Sequence, residues 1–81
     1  MNQVTIYGKP GCCLCDEART VVRAVRALRP FELQEVDVSI DPALNARLGE
    51  RIPVVAVNGD EAFEFHVDAG ALEERLDKVG A

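Results

Sequence analysis

The stretch Tyr7-Gly8-Lys9-Pro10-Gly11-Cys12-Cys13-Leu14-Cys15-Asp16-Glu17-Ala18 holds all three cysteines of this 81-residue chain. An odd number of thiols within four positions is unlike a secreted disulfide scaffold, which spreads an even number along its length. In a reducing compartment such a cluster serves metal or redox chemistry more often than architecture, and its flanks decide between the two. Upstream, Val4-Thr5-Ile6-Tyr7 reads as a β-branched, period-two strand that stops at Gly8. Gly8-Lys9-Pro10-Gly11 is a loop. Downstream, Leu14, Ala18, Val21, Val22, Val25 and Leu28 repeat at the spacing of one buried helix face, and Pro30 ends the helix. The cysteines therefore sit where a strand-to-helix loop becomes the helix.

Further along, Phe31 to Val38 reads as a second strand. Phe31 and Leu33 are out of phase with Val36, Val38 and Ile40, so a bulge or an early strand start is expected. Asp41 caps a short helix with Pro42 at its first position, Leu44 and Leu48 facing inward, and Gly49 closing it. The apolar run Pro53-Val54-Val55-Ala56-Val57 predicts a central strand covered on both faces. Asn58-Gly59 predicts a two-residue hairpin, with Asp60 to Val67 returning antiparallel. Asp68 caps a last helix whose buried stripe is Leu72, Leu76 and Val79, with Val67 stapled against Leu72 and Gly80 beyond the end. The expected fold is α/β, in the order β-α-β-α-β-β-α. Its four-stranded mixed sheet is flanked by helices and forms a single domain over residues 1–81.

Composition narrows the function. With 48% apolar and 28% charged residues the chain is of the folding kind rather than the disordered kind. The net charge is −5. Residues 1–40 are balanced at five positive and five negative groups, and residues 41–81 carry four and nine. That surplus argues against nucleic acid as a main partner. No apolar run approaches the roughly 18 residues of a membrane span, and Met1 to Val4 lack a signal pattern, so a cytoplasmic location is expected; a monomer is the separate expectation for its assembly.

A helix N-terminus presents unpaired N–H groups and the positive end of the macrodipole, which favour a thiolate. Cysteines so placed fall from a pKa of about 8.5 to roughly 3.5–7.5. Cys12 is expected to be such an anion, weakly aided by Lys9. Cys15, most of a helical turn along, can return its sulfur to Cys12 and close a reversible disulfide. Cys13 would need a strained eight-membered ring with Cys12 and points away from Cys15, so it is read as a small hydrophobe or surface thiol. A monomeric zinc site lacks ligands, since only His66 could join the cysteines as a soft or borderline donor. Arg19, Arg23, Arg26 and Arg29 read as a solvated helix flank. His66 reads as a surface or edge residue, and Phe63 and Phe65 as core. Phosphate cradles, hydrolytic triads and paired-carboxylate motifs are missing from the sequence.

The segment from Tyr7 to Ala18 resembles the active-site segment of the glutaredoxin-like proteins of the thioredoxin-fold superfamily, in their short branch with a C-x-L-C motif. Ile52-Pro53-Val54-Val55 resembles that fold's second signature, and Val67-Asp68 before the last helix fits the same branch. The resemblance implies a thiol-disulfide oxidoreductase in which Cys12 attacks and Cys15 resolves. It would reduce protein or glutathione mixed disulfides without a bound cofactor, drawing electrons from glutathione or a reductase. It further implies a cis Ile52-Pro53 bond facing the cysteines, with Ile52 offering backbone groups to the ligand. Lys9 stands at the glutathione-carboxylate position and Asp68 near the glutathione amine, although Asp68 also reads as a plain helix cap. One departure is that Phe65-His66-Val67-Asp68-Ala69-Gly70 lacks the Gly-Gly turn usual in glutaredoxins. An alternative within the same fold is a carrier without reductase activity, in which Cys12 of two chains holds an iron-sulfur cluster.

Overall fold

The computed structural model describes the backbone of residues 2–80 and the side chains up to residue 78. Strand β1 (Gln3–Gly8) leads through the loop into helix α1 (Cys13–Leu28), which returns the chain to β2 (Glu32–Asp37). A 3₁₀ turn (Val38–Ile40) and α2 (Pro42–Leu48) lead to the hairpin β3 (Val54–Val57) and β4 (Asp60–Glu64), and α3 (Ala69–Gly80) ends the chain. The sheet order is β2-β1-β3-β4, with β1 parallel to β2 and antiparallel to β3, and β4 antiparallel to β3. This is the expected α/β architecture. The interior position of β3 accounts for its unbroken apolar run, since all four of its residues are buried.

Two apolar clusters hold the layers together. On one face, Val4 and Ile6 of β1 and Val55 and Val57 of β3 pack against Val22 and Val25 of α1, Leu72 and Leu76 of α3, and Phe31. The second cluster joins Cys15, Val38, Leu48, Ile52 and Val54, with Tyr7, Cys12 and Leu44 packed on it. Residues 54 and 55 point to opposite sides of β3, so α2 covers the face that α1 and α3 leave open. Asn58 and Gly59 have φ of 51° and 89°, and Val57 pairs Asp60 across them, so the two-residue hairpin forms as expected. Asp41 caps α2 through Ala43 N–H at 3.0 Å. Asp68 caps α3 through Ala71 N–H at 2.8 Å.

Several sequence expectations are corrected. The β1–β2 register runs without a shift from Gln3↔Glu32 to Gly8↔Asp37, so β2 contains no bulge. The change of phase arises because Phe31 and Leu33 pack with the main cluster whereas Val38, in phase with Val36, packs with the second; the strand ends at Asp37, whose carboxylate accepts from Ser39 N–H at 2.9 Å and starts the 3₁₀ turn. Val38 is buried in that turn, whereas Ile40 is 80% exposed. The irregularity lies instead between Val55 and Ala56, where Ala62 is the extra residue of β4. Leu28 is not part of the buried face; it is the last residue of α1 and 75% exposed, beyond the row Cys15, Ala18, Val22 and Val25. Strand β4 stops at Glu64 rather than Val67 because Phe65 takes a φ of +65° and turns the chain away. Gly80 is within α3 rather than past its end, and the place of the Val79 side chain in the apolar stripe lies outside the described residues.

Candidate functional site

Strand β1 delivers the chain to the site at Gly8, and Gly11 (φ +81°) bends the loop so that Cys12 enters the helix. Helix α1 begins at Cys13, and Cys12 is its N-cap with extended backbone. The Cys12 Sγ accepts the N–H of Cys15 at 3.4 Å, the role an N-cap serine or aspartate oxygen usually plays. A capping sulfur faces the orphan amides of the first turn directly, which places it where an anion is best stabilised. The three thiols are free and graded in exposure: Cys13 exposed, Cys12 half-buried, Cys15 fully buried.

The electrostatics follow that gradient. Hydrogen bonding with the Cys15 side chain, and then the N–H groups of Cys15 and Leu14, lower the Cys12 pKa against the opposing effect of partial burial. Lys9 adds a smaller Coulombic contribution of the same sign. For Cys15, burial is the main cause raising the pKa, followed by its hydrogen bond to Cys12; the Lys9 N–H and the Arg19 charge oppose both. Cys15 is thus held as the thiol, and Cys12 is the preferred anion of the pair.

The structure brings Cys12, Cys15 and Ile52 together in the second apolar cluster. Pro53 is fully buried beside Ile52, and the Ile52-Pro53 peptide bond is cis. Lys9 is exposed on the rim of a cavity of about 300 Å³, shared with Gly8, Pro10, Arg19, Glu35 and Asp37. Asp68 is occupied at the start of α3, where its carboxylate and carbonyl accept from Ala71 and Leu72 at 2.8 and 2.9 Å. His66 is exposed. Among the described residues no three His, Cys, Asp or Glu side chains converge on a point that would hold a metal ion.

A family model described as "Glutaredoxin-like domain (DUF836)" matches residues 3–77. The chain belongs to this family. Among similar chains, an uncharacterised protein of Mycobacterium tuberculosis is 28% identical over 75 residues, covering 86% of this chain and 77% of that protein. The X-ray structure of a structural-genomics target from X. campestris superposes on this glutaredoxin-like domain with a TM-score of 0.78 at 28% identity, covering 93% of this chain and 96% of that one. The fold recurs in a thioredoxin mutant from Halobacterium salinarum (TM-score 0.67, 21% identity, 95% and 73% covered). The glutaredoxin-like domain therefore has a thioredoxin-type fold.

Three features of this glutaredoxin-like domain were not legible as parts of a site. Gly8 reads in sequence only as the end of a strand, yet a Cβ there would meet the Cys15 Sγ at 2.9 Å and its Cβ at 3.2 Å. Its missing side chain is what lets the buried sulfur lie against β1. Arg51, just before Ile52, bonds Glu64 through Nε and Glu61 through Nη2, both at 2.6 Å, tying the Ile52-Pro53 segment to β4. Phe65, expected in the core, is 43% exposed, and its N–H donates to the Pro53 carbonyl at 2.8 Å. The His66 N–H returns to the Glu64 carbonyl at 2.7 Å, closing a three-residue turn around Phe65. A bulky residue with positive φ costs on the order of 1–3 kcal/mol. The alternating sequence around Phe65 carries no sign of that turn, since no glycine or asparagine marks it.

The opposed shifts of the two thiols set a pH order for the reduced glutaredoxin-like domain. Cys12 alkylation by iodoacetamide reaches its plateau at a lower pH than that of an ordinary thiol and falls about tenfold per pH unit below its lowered pKa, while Cys15 reacts only in alkali. The sign for stability follows. The depressed pKa of Cys12 contributes stability above its unfolded value, lost as pH falls through the folded one. The raised pKa of Cys15 contributes stability below its unfolded value, lost as pH rises through the folded one. Mass spectrometry of alkylated peptides across pH 4–10 reads the order; labelling of Cys15 before Cys12 would reverse the assignment.

Proposed function

We propose that this glutaredoxin-like domain is a thiol-disulfide oxidoreductase that reduces protein or glutathione mixed disulfides in the reducing cytoplasm. The observation that carries this reading is the capping contact of the Cys12 sulfur, with the fully buried Cys15 thiol three residues behind it. The Cys12 thiolate attacks one sulfur of the substrate disulfide, forming a mixed disulfide and releasing the other sulfur as a thiolate that takes a proton from water. The Cys15 sulfur then attacks the Cys12 Sγ and displaces the bound substrate sulfur, the Cys15 proton passing to that departing sulfur as the mixed disulfide breaks. That closes the Cys12–Cys15 disulfide and leaves the substrate reduced by two electrons. Two molecules of a thiol reductant such as glutathione, or a dithiol reductase, return those electrons and are themselves oxidised to a disulfide.

In this reading the backbone of Ile52, next to Pro53, receives the substrate chain beside the sulfurs, and Lys9 meets a glutathione carboxylate. Asp68 keeps its place as the α3 cap and presents its charge to a glutathione amine. The protein should turn over bis(2-hydroxyethyl) disulfide with glutathione or dithiothreitol as reductant, followed as reductant oxidation. The Cys13→Ser variant keeps its rate within about twofold, because an exposed thiol at the first helical position sits outside the ring that closes. No turnover with either reductant would overturn the proposal. A visible chromophore in anaerobically purified dimer, together with that lack of turnover, would identify the cluster carrier.

A further inference from the structure

Phe65 combines two unfavourable features, an aromatic ring 43% exposed and a backbone held at a φ of +65°. Neither serves the core, which is complete through Phe63 and Val67 on either side. Residues kept in such conformations concentrate at ligand-contacting positions, where the surrounding structure over-determines them. Here the tether is the Phe65 N–H to Pro53 carbonyl bond, which fixes the ring relative to the segment beside Cys12 and Cys15. Phe65, His66 and Val67 form one wall of a notch of about 90 Å³, and Leu14, Ala18 and Val21 of α1 form the other; His66 makes no ion pair with Glu17. Leu14 belongs to the C-x-L-C motif itself, between Cys13 and Cys15, so one wall of the notch starts within the segment that carries the sulfurs. Glu17 lies on its rim and has no ion-pair partner among the described residues, whereas Glu61 and Glu64 of β4 both pair with Arg51.

Resting on the oxidoreductase reading above, we infer that Phe65 and this notch select protein disulfides in which the attacked cysteine is flanked by a bulky apolar residue and a basic one. The apolar side chain packs between Phe65 and Leu14, and the basic group pairs with Glu17. Glutathione offers neither, since its cysteine is flanked by a glycine and a γ-glutamyl group. Phe65 is therefore a specificity-determining residue that favours peptide substrates over the small thiol.

The test compares mixed disulfides of 2-mercaptoethanol with two blocked pentapeptides, one having cysteine between leucines with terminal lysines, the other having glycines in place of the leucines. Wild type prefers the leucine peptide by about tenfold in kcat/KM, the scale of one apolar side chain in a pocket. Phe65→Ala and Phe65→Gly both erase that preference while leaving the bis(2-hydroxyethyl) disulfide rate and Cys12 alkylation within twofold. The glycine variant accepts positive φ without strain, which guards against misfolding. Phe65→Trp retains the preference, and Glu17→Gln lowers kcat/KM for both lysine-bearing peptides while leaving the bis(2-hydroxyethyl) disulfide rate within twofold. Equal rates of wild type on both peptides, or an equal loss on all substrates, would overturn the inference. An NMR titration with the serine analogue of the leucine peptide decides the notch independently of redox chemistry. Shifts centred on Leu14, Phe65 and Val67, lost in Phe65→Ala, support it; their absence overturns it, even where the oxidoreductase reading itself has failed.

Discussion

Cys12→Ser is expected to lower disulfide turnover by roughly three orders of magnitude or more, the scale on which loss of an enzyme's nucleophile is felt. A hydroxyl at the α1 cap still accepts the Cys15 N–H, so the fold and its melting temperature change little. What is lost is the anion, because serine is not ionised near neutral pH and makes no bond to a disulfide sulfur. Cys15→Ser separates the two half-reactions. Cys12 remains capped by the residue-15 N–H and still attacks, but the mixed disulfide accumulates, visible as a covalent adduct by intact-mass analysis. Its alkylation slows at neutral pH as well, because the hydrogen bond from the Cys15 side chain is the largest cause lowering the Cys12 pKa and a serine hydroxyl replaces it imperfectly. Equal activity of Cys12→Ser and wild type would remove the chemical basis of the proposal, and a turning-over Cys15→Ser would remove the need for the second thiol.

Phe31→Ala is expected to cost about 3–5 kcal/mol, the usual penalty for emptying a buried phenyl site. Phe31 is 2% exposed and belongs to the cluster that Val4, Ile6, Val22, Val25, Leu72 and Leu76 form between β1 and the helices α1 and α3. Its carbonyl accepts from Arg26 Nε at 2.9 Å, which holds the entry to β2 and hinders collapse of the cavity. In a small domain whose total stability is about 5–15 kcal/mol, such a loss moves the urea midpoint far or unfolds the protein at room temperature. Leu28→Ala is the matched control: as a 75% exposed residue its change should fall within about 0.5 kcal/mol. Similar midpoints for the two variants would mean that the main cluster does not hold β2 to the helices as described.

These expectations differ in how they could be reached. The position of the cysteines between a strand and a helix, the Asn58-Gly59 turn and the caps Asp41 and Asp68 are short-range signals, each carried by a few adjacent residues with one dominant conformation. The order of elements and the mixed sheet follow from them, because few connections of such elements bury every apolar face. Periodicity failed where a strand or helix ends. Ile40 and Leu28 continue an apolar rhythm but lie past the last packed turn, and rhythm does not reveal where the neighbouring layer stops.

The linear sequence by itself determined which elements form, in what order, and that Cys12 and Cys15 share the first turn of a helix, because those features rest on backbone preferences between near neighbours. Only the tertiary structure decided which sulfur is buried and which is half-open, that Gly8 leaves the space Cys15 occupies, and that Phe65 turns outward beside Pro53. Each of these depends on atoms far apart in the chain meeting at van der Waals or hydrogen-bond distance. Local propensity carries no information about such meetings until the sheet and helices are packed.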